Sequence, residues 1–403
     1  MSSIFLSSNA NSSMLQTVES SDSRKNPNIY STETVFPAHA LTWVECASNS
    51  GSIGNGQQLN FNLQKYGIIS QMLLCYEKKT TVGNLPAGDF FKTIKQVELL
   101  ASSKTVAILT AEDFMAQFSD CSQSEFNVIS ETVLKQSTLV TGKNHKYTVP
   151  LTWGQCEQIN NQLDSSFLEP LSIRISFNTI KTSDATYPAT DAEAMPKCFL
   201  KIRYKNYDEP STAEMISSNY SSPQLNQLTT RYYSESKVPH STSADGSTSI
   251  TVELKNTECV EAFYVMVRKV LPLSGTGSNV AYALTAIDQV TFLGSGQEIC
   301  KLDDQQLAYA RLSKDGWSES VDVTTTGSGV NVNHVAKIQL GLNSKQMMTN
   351  ALSLREINNG QIVVEWTTGT ATATNWEVCV VERVLAVYAT SASSGRYSLA
   401  LAN

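Results

Sequence analysis

From Leu41 onward the chain alternates apolar and polar residues in short runs broken by Gly, Ser, Asn and Pro. Leu59-x-Phe61-x-Leu63 and Ile173-Arg174-Ile175-Ser176-Phe177 put every second side chain on one face, the period of a half-buried strand. Read this way, the pattern predicts eight strands, at 41–46, 57–63, 68–77, 92–101, 104–110, 147–152, 171–178 and 198–205. A polar stretch carrying Pro210, Ser217, Ser218, Asn219 and Pro223 follows, and the pattern then restarts. Eight more strands are predicted at 229–235, 248–254, 259–269, 284–293, 296–302, 334–342, 361–367 and 376–388. Residues 1–38, rich in Ser and Asn and without periodicity, read as an arm. The predicted organisation is an arm at 1–38, a first unit at 39–207, a linker at 208–227, a second unit at 228–392 and a tail at 393–403.

The two halves are similar to each other. Ile94-Lys95-Gln96-Val97-Glu98-Leu99-Leu100-Ala101-Ser102-Ser103-Lys104 aligns without gaps on Ile287-Asp288-Gln289-Val290-Thr291-Phe292-Leu293-Gly294-Ser295-Gly296-Gln297, an offset of 193 positions (287 − 94). The same offset carries Phe114 onto Leu307. Each copy leads into a short helical stretch: Thr110 and Asp113 are spaced as a capping box, as are Asp303 and Gln306. Looser matches pair Leu59-x-Phe61-x-Leu63 with Ile250-x-Val252-x-Leu254, and Ile173–Phe177 with Ile362–Trp366. A stretch that repeats hairpin, turn and helix in register points to duplication of one all-β unit.

Composition narrows the function. Charged residues are 17% of the chain, too few for long solvent-exposed helices. The net charge is −7 and no basic run is longer than two residues, as in Lys78-Lys79, so the clustered cations of a nucleic-acid binder are missing. The eight cysteines (Cys46, Cys75, Cys121, Cys156, Cys198, Cys259, Cys300 and Cys379) form no C-x-x-C pair and read as free buried thiols, which suits a reducing compartment. The start of the chain lacks a basic segment ahead of an apolar one, and the longest apolar run, near Val378–Ala389, is broken by Glu382 and Arg383; neither a signal peptide nor a membrane helix is expected.

Chemistry-bearing patterns are sparse. His39, His145, His240 and His334 are scattered and fit hydrogen bonding near strand ends better than metal binding. Gly51-x-x-Gly54-x-Gly56 lacks the Gly-Lys-Ser/Thr of a phosphate loop, and Gly275-Thr276-Gly277 reads as a turn. Asp303-Asp304 fits a helix N-terminus better than a catalytic pair. Asp184, Asp191 and Glu193 fall short of a calcium site. Trp43, Trp153, Trp317, Trp366 and Trp376 are spread over both halves, which favours core or interface anchoring over a sugar platform. No catalytic, cofactor-binding or metal-ligating residue is therefore expected, no cofactor is implied, and the chain does not read as an enzyme.

Two units of eight strands, each with a short helix after the fifth strand, fit two tandem jelly rolls. The texture of Gln57–Leu74, Phe91–Leu99 and Val335–Leu342 with Ala351–Leu354 resembles the double jelly-roll major capsid proteins, the lineage of adenovirus hexons, tectivirus-type phages and large eukaryotic DNA viruses. The resemblance spans roughly residues 41–390 and implies an all-β fold, a homotrimer forming a pseudo-hexagonal capsomer, and an icosahedral shell tiled by such capsomers. Implied partners are the chain itself, minor capsid, penton or vertex proteins, and an internal membrane reached by the arm, with no direct nucleic-acid contact. The implied location is the virion, after synthesis and assembly inside the host cell. The segments 111–146 and 303–333 are then expected as outer loops. The alternative function on the same fold is a tandem jelly-roll adhesin, spike or lectin-like binding protein.

Overall fold

The computed structural model describes residues 16–17, 34–35, 39–54, 56–79, 89–121, 123–134, 144–152, 163–166, 168–178, 195–207, 227–242, 246–255, 259–269, 284–307, 334–340, 351–357, 359–368, 374–393 and 396–402. Most of the predicted arm and the whole of 208–226 lie outside this set.

The first half holds β1 (His39–Ala47), β2 (Gln58–Asn62), β3 (Ile68–Lys79), β4 (Ile94–Ala101), β5 (Lys104–Thr110), β6 (Asn144–Pro150), β7 (Leu171–Phe177) and β8 (Lys197–Tyr207). The second holds β9 (Gln227–Thr242), β10 (Gly246–Glu253), β11 (Val260–Lys269), β12 (Gln289–Gly294), β13 (Gln297–Asp303), β14 (Ala336–Gln339), β15 (Gln361–Thr368) and β16 (Thr374–Ser393). All pairings are antiparallel. One sheet of the first half runs β1-β8-β3-β6 and its partner β2-β7-β4-β5, with Ser50–Gly51 at the edge of β2. The second half repeats the order as β9-β16-β11-β14 and β10-β15-β12-β13. Strand n of the first half therefore corresponds to strand n + 8 of the second, and each half is a jelly roll.

Alternation builds each core. In the first roll Ile173 lies opposite Phe61 on one side and Leu99 on the other, and Ile175 opposite Leu59 and Val97. These side chains meet Met72, Leu74, Tyr147 and Ile202 of the facing sheet, with the Tyr76 and Tyr147 rings stacked 4.5 Å apart. In the second roll Val290, Phe292, Ile362 and Trp366 meet Phe263, Val265, Val378 and Val380. Each fully buried aliphatic or aromatic side chain contributes roughly 1.5–3 kcal/mol through the water it sheds. Gly67 opens β3 with φ +141°, where a Cβ would come within 2.4 Å of Asn206 Oδ1 and 2.6 Å of the Lys205 carbonyl; only glycine fits.

The repeat reaches into backbone detail. The β4–β5 hairpin turns through Ser102 (φ 46°) and Ser103 (φ 73°), and β12–β13 through Ser295 (φ 53°) and Gly296 (φ 77°). Two consecutive positive φ values give the turn whose twist matches the flanking strands. Each hairpin also carries a bulge at the same step, between Leu99 and Leu100 in one and between Phe292 and Leu293 in the other.

Several predicted boundaries shift. The strand predicted at 92–101 starts at Ile94, behind a short helix, α1 (Asp89–Thr93). The run predicted as one strand at 284–293 splits: Leu284–Thr285 pairs with β11, whereas β12 belongs to the facing sheet. The chain changes layer at Asp288, which Thr367 Oγ1 holds at 2.7 Å. Residues 396–402, placed in a tail from sequence, form β17 (Arg396–Ala402), because β16 runs on to Ser393 and offers it a free edge from Val387. The outer-loop expectation for 111–146 is corrected as well. Residues 111–134 are α2 (Ala111–Ser119), α3 (Gln123–Ile129) and one π turn (Ser130–Leu134), because Phe114, Met115, Phe118, Ile129 and Val133 bury an apolar side. Residues 135–143 and 308–333 lie outside the described set.

Candidate functional site: the junction between the rolls and its uncovered counterpart

α2 is the bracket that joins the two rolls. Its start is fixed by the capping box: Thr110 Oγ1 accepts from the Asp113 amide at 3.3 Å, and Asp113 Oδ2 accepts from the Thr110 amide at 2.8 Å. Phe114, Met115 and Phe118 sink into the first roll. The carboxylates of the helix turn the other way, onto the outer face of β9-β16-β11-β14. Glu112 receives Lys237 Nζ and Arg268 Nη1, both at 3.0 Å. Arg268 also grips Glu377 at 2.5 Å, Lys237 reaches Glu235 at 2.8 Å, and the Thr110 hydroxyl donates to Glu235.

Asp120, the C-cap, makes the second cluster. A carboxylate at a helix C-terminus opposes the helix dipole. Here Lys337 Nζ and Arg383 Nη1, each at 2.7 Å, supply the compensating charge, and the Tyr264 hydroxyl donates to the same carboxylate. Arg383 further pairs with Glu261 at 3.1 Å and donates to the Tyr264 oxygen at 2.7 Å. Around these charges Ala262, Met266, Cys379 and Val381 are buried and continuous with the core of the first roll. The β9-β16-β11-β14 sheet is thus covered on both faces, by its own partner sheet and by α2.

Burial sets the protonation. Burial pushes the Glu112 carboxyl upward, but Arg268 and Lys237 outweigh it and hold the group below the usual carboxylate range. Asp113 goes well above that range through burial, reinforced by Glu235, while the Thr110 hydrogen bonds pull against it; its Oδ1 has no hydrogen-bond partner. Burial works against the Arg383 charge, yet Tyr264, Asp120 and Glu261 hold the guanidinium above the ordinary arginine value.

Strand register identifies the same surface on the first roll. β8 and β3 skip a residue between Arg203 and Tyr204, as β16 and β11 do beside Arg383. Aligning the bulges puts Arg203 on Arg383, Ser70 on Glu261, Leu73 on Tyr264 and Cys75 on Met266. Edge-strand pairing then puts Trp43 on Tyr233 and Glu45 on Glu235. The chemistry follows: Arg203 Nε lies 3.1 Å from Ser70 Oγ where Arg383 Nε meets Glu261, and the Arg203 guanidinium sits 5.6 Å from the Trp43 ring centroid. Yet among the described residues no element covers this face of β1-β8-β3-β6. Leu41 is 52% and Trp43 47% exposed, and Lys201 is exposed beside them.

The residues singled out from sequence are dispersed. His39 is in β1, His145 is buried in β6, His240 in β9 meets the Trp366 ring edge-on at 5.7 Å, and His334 has Nδ1 3.2 Å from the Leu284 carbonyl. Among the described residues no three His, Cys, Asp or Glu are grouped as a metal would need, and no helix is long and apolar enough to cross a membrane. Asp303 and Asp304 accept from the Gln306 and Gln305 amides at 2.7 and 2.8 Å, as helix-capping groups do. Trp366 and Trp376 are core residues, whereas Trp43 is not. Among the described residues seven cysteines are free thiols, and burial pushes Cys198 up to about 12. Cys156, Trp153, Trp317, Asp184, Asp191, Glu193 and Gly275–Gly277 lie outside the described residues. Reading the sequence did not bring the junction charges Glu112, Asp120, Lys237, Arg268, Lys337 and Arg383 together as one site. The available signal was β11 and the middle of β16, which are apolar on both faces where β8 alternates.

No family model and no curated protein matches the chain. Solved structures do. VP54 of PBCV-1, fitted into a cryo-EM reconstruction of the virophage Sputnik, superposes with a TM-score of 0.67 at 13% identity, over 92% of this chain and 98% of that one. The Faustovirus major capsid protein gives 0.61 at 9% identity, over 91% and 93%. The mavirus major capsid protein gives 0.55 at 11%, over 96% and 97%. At such identities the likeness speaks to fold, and it agrees with the strand order: this chain is a double jelly roll.

Proposed function

We propose that this chain is a viral major capsid protein: a structural, non-catalytic unit that forms a homotrimeric, pseudo-hexagonal capsomer and tiles an icosahedral shell. The observation that carries the reading is the junction. Two copies of one roll are joined side by side through ion pairs and a shared apolar core, which supports reading the chain as a single two-lobed block. A shell needs such blocks, because flexible units would not hold the repeated contact angles of a closed lattice. Side-by-side contact also covers sheet edges that would otherwise invite uncontrolled pairing. In this reading residues 39–207 and 228–392 are the two lobes, 208–227 links them, and 1–38 works at contacts with neighbouring capsomers, minor or vertex proteins, or an internal membrane. The protein acts in the virion, after assembly inside the host cell.

The test is light scattering on a sizing column with negative-stain imaging. One species at about three times the 44.0 kDa chain mass, with a six-lobed outline, is expected. A monomer at every concentration, and no larger assembly on removal of salt, would overturn the reading.

A further inference from the structure

We propose that the outer edge of β10, with the cleft at its end, is a docking site for an extended strand of another protein: a short polar run followed by an aliphatic residue. The first roll shows the form of such a strand, because it supplies its own.

Ten residues, 48–57, separate β1 from β2, and residues 49–52 run back along the β2 edge. Ser50 lies opposite Asn60 and Gly51 opposite Leu59. The Asn49 amide donates to the Asn60 carbonyl at 2.8 Å, the Ser52 amide to the Gln58 carbonyl at 3.0 Å, and the Asn62 amide to Asn49 Oδ1 at 2.5 Å. Ile53 then packs against the core. In the second roll only three residues, 243–245, separate β9 from β10, too few to do the same. Among the described residues β10 pairs with β15 alone. The repeat puts Ser249, Thr251 and Glu253 at the places of Gln58, Asn60 and Asn62, and all three are exposed. Their apolar neighbours lose cover too: Leu59 and Leu63 are buried, whereas Ile250 and Leu254 are half-buried. A strand added from outside completes such an edge. Residues 49–52 of every copy are already paired with their own β2, so the strand belongs to another protein.

The cleft is an independent sign of the same site. The Leu63 amide donates to the Leu171 carbonyl at 2.9 Å and the Leu254 amide to the Gly360 carbonyl at 3.0 Å, so Gly360 stands where the first roll buries Leu171. Neither backbone nor space demands this glycine. Its φ is not positive, and a Cβ would meet nothing nearer than Leu254 Cδ1 at 3.5 Å, an ordinary contact. The missing side chain leaves a cleft of about 410 Å³, walled by Glu253, Arg355, Asn359 and Gln361. A glycine that no turn requires suits the close approach of another backbone. The cleft adjoins Glu253, so a strand running antiparallel to β10 brings its preceding residues there. Walls of both charge signs, with two amides and no aromatic ring, fit a polar peptide better than a sugar.

Hydrogen exchange on the full chain, read by mass spectrometry, tests this, with a synthetic peptide of residues 48–54 (Ser-Asn-Ser-Gly-Ser-Ile-Gly) as the probe. In the chain alone, 246–254 should exchange about tenfold faster than 58–63. Millimolar probe should slow 246–254 by about tenfold, and a scrambled peptide should not. Thr251→Pro removes an outward N–H on an edge strand, where proline is tolerated, so it should weaken binding about tenfold with the urea midpoint unchanged. Adding Lys-Asp to the start of the probe should tighten binding about threefold in the wild type and leave it unchanged in Gly360→Leu, which carries the first roll's residue. Protection of 246–254 equal to that of 58–63 in the chain alone would mean that the arm or another copy already fills the edge. That result, or no binding at millimolar probe, overturns the proposal. A chain that binds the probe yet never trimerises keeps this site and loses the capsid reading.

Discussion

The outer faces of β1-β8-β3-β6 and β9-β16-β11-β14 have the same strand order and the same bulge, but opposite surroundings. On the second roll the face is sealed by α2, and its central side chains are Ala262, Tyr264, Met266, Cys379 and Val381. On the first, the matched positions hold Gln71, Leu73, Cys75, Phe199 and Lys201. The arginine is common to both, but Arg383 sits among three buried partners and Arg203 between a serine and a half-exposed tryptophan. One scaffold can thus serve as a buried wall or an exposed one. What changes is which charges the neighbouring element brings.

The sharpest way to break this comparison is at the arginine pair. Arg383→Ala removes the guanidinium that pairs with buried Glu261, while Lys337 still faces Asp120, and should cost about 3–5 kcal/mol in urea unfolding. Arg203→Ala, at the matched position, should cost no more than about 1 kcal/mol. Equal losses would mean that the junction is not the specialised face.

A smaller effect tests the junction through pH. Asp113 is held above its unfolded value, so its contribution is full below that value and is lost as pH rises through the folded one. Glu112 is held below, so its contribution is present above the unfolded value and is lost as pH falls through the folded one. Urea midpoints measured from acid to alkaline pH should show Asp113→Asn gaining on the wild type as pH rises. Glu112→Gln should lose the advantage of the charged group at neutral pH and converge on the wild type in acid. Profiles for Asp113→Asn and Glu112→Gln that run parallel to the wild type would show that the junction does not set these protonation states.

The smallest effect concerns what the rolls share. Ser103 and Gly296 occupy the same left-handed turn position. Ser103→Gly should stabilise, and Gly296→Ser destabilise, each by about 1 kcal/mol in denaturant titrations. A response in only one roll would show that the two hairpins, alike in backbone, differ in how firmly they are held.

Strands and repeat were readable because alternation and turn residues act locally. The 193-residue offset located hairpin, turn and helix cap in both halves, and the bulges fall at the same step. The junction was not readable, because Glu112, Asp120 and Lys337 look like ordinary solvated charges until the fold puts Glu112 3.0 Å from Lys237 and Asp120 2.7 Å from Lys337. Asp120 was read as an outer-loop residue for the same reason. The broken run Val378–Ala389 held the clue: two charges inside an apolar strand need partners if both faces are covered. The split at Asp288 and the strand β17 depend on edges that only the assembled sheets expose.

α2 belongs by sequence to the first roll and by half its surface to the second. During synthesis α2 leaves the ribosome before Lys237, Arg268, Lys337 and Arg383 are made, so Glu112 and Asp120 first exist in water without their partner cations. Docking of the second roll strips that water and supplies the cations, and it tightens the hold of Asp113 on a proton while it loosens that of Glu112. Joining the rolls therefore sends two neighbouring carboxyls of one helix turn in opposite directions, so that the helix senses from both whether its second roll has arrived.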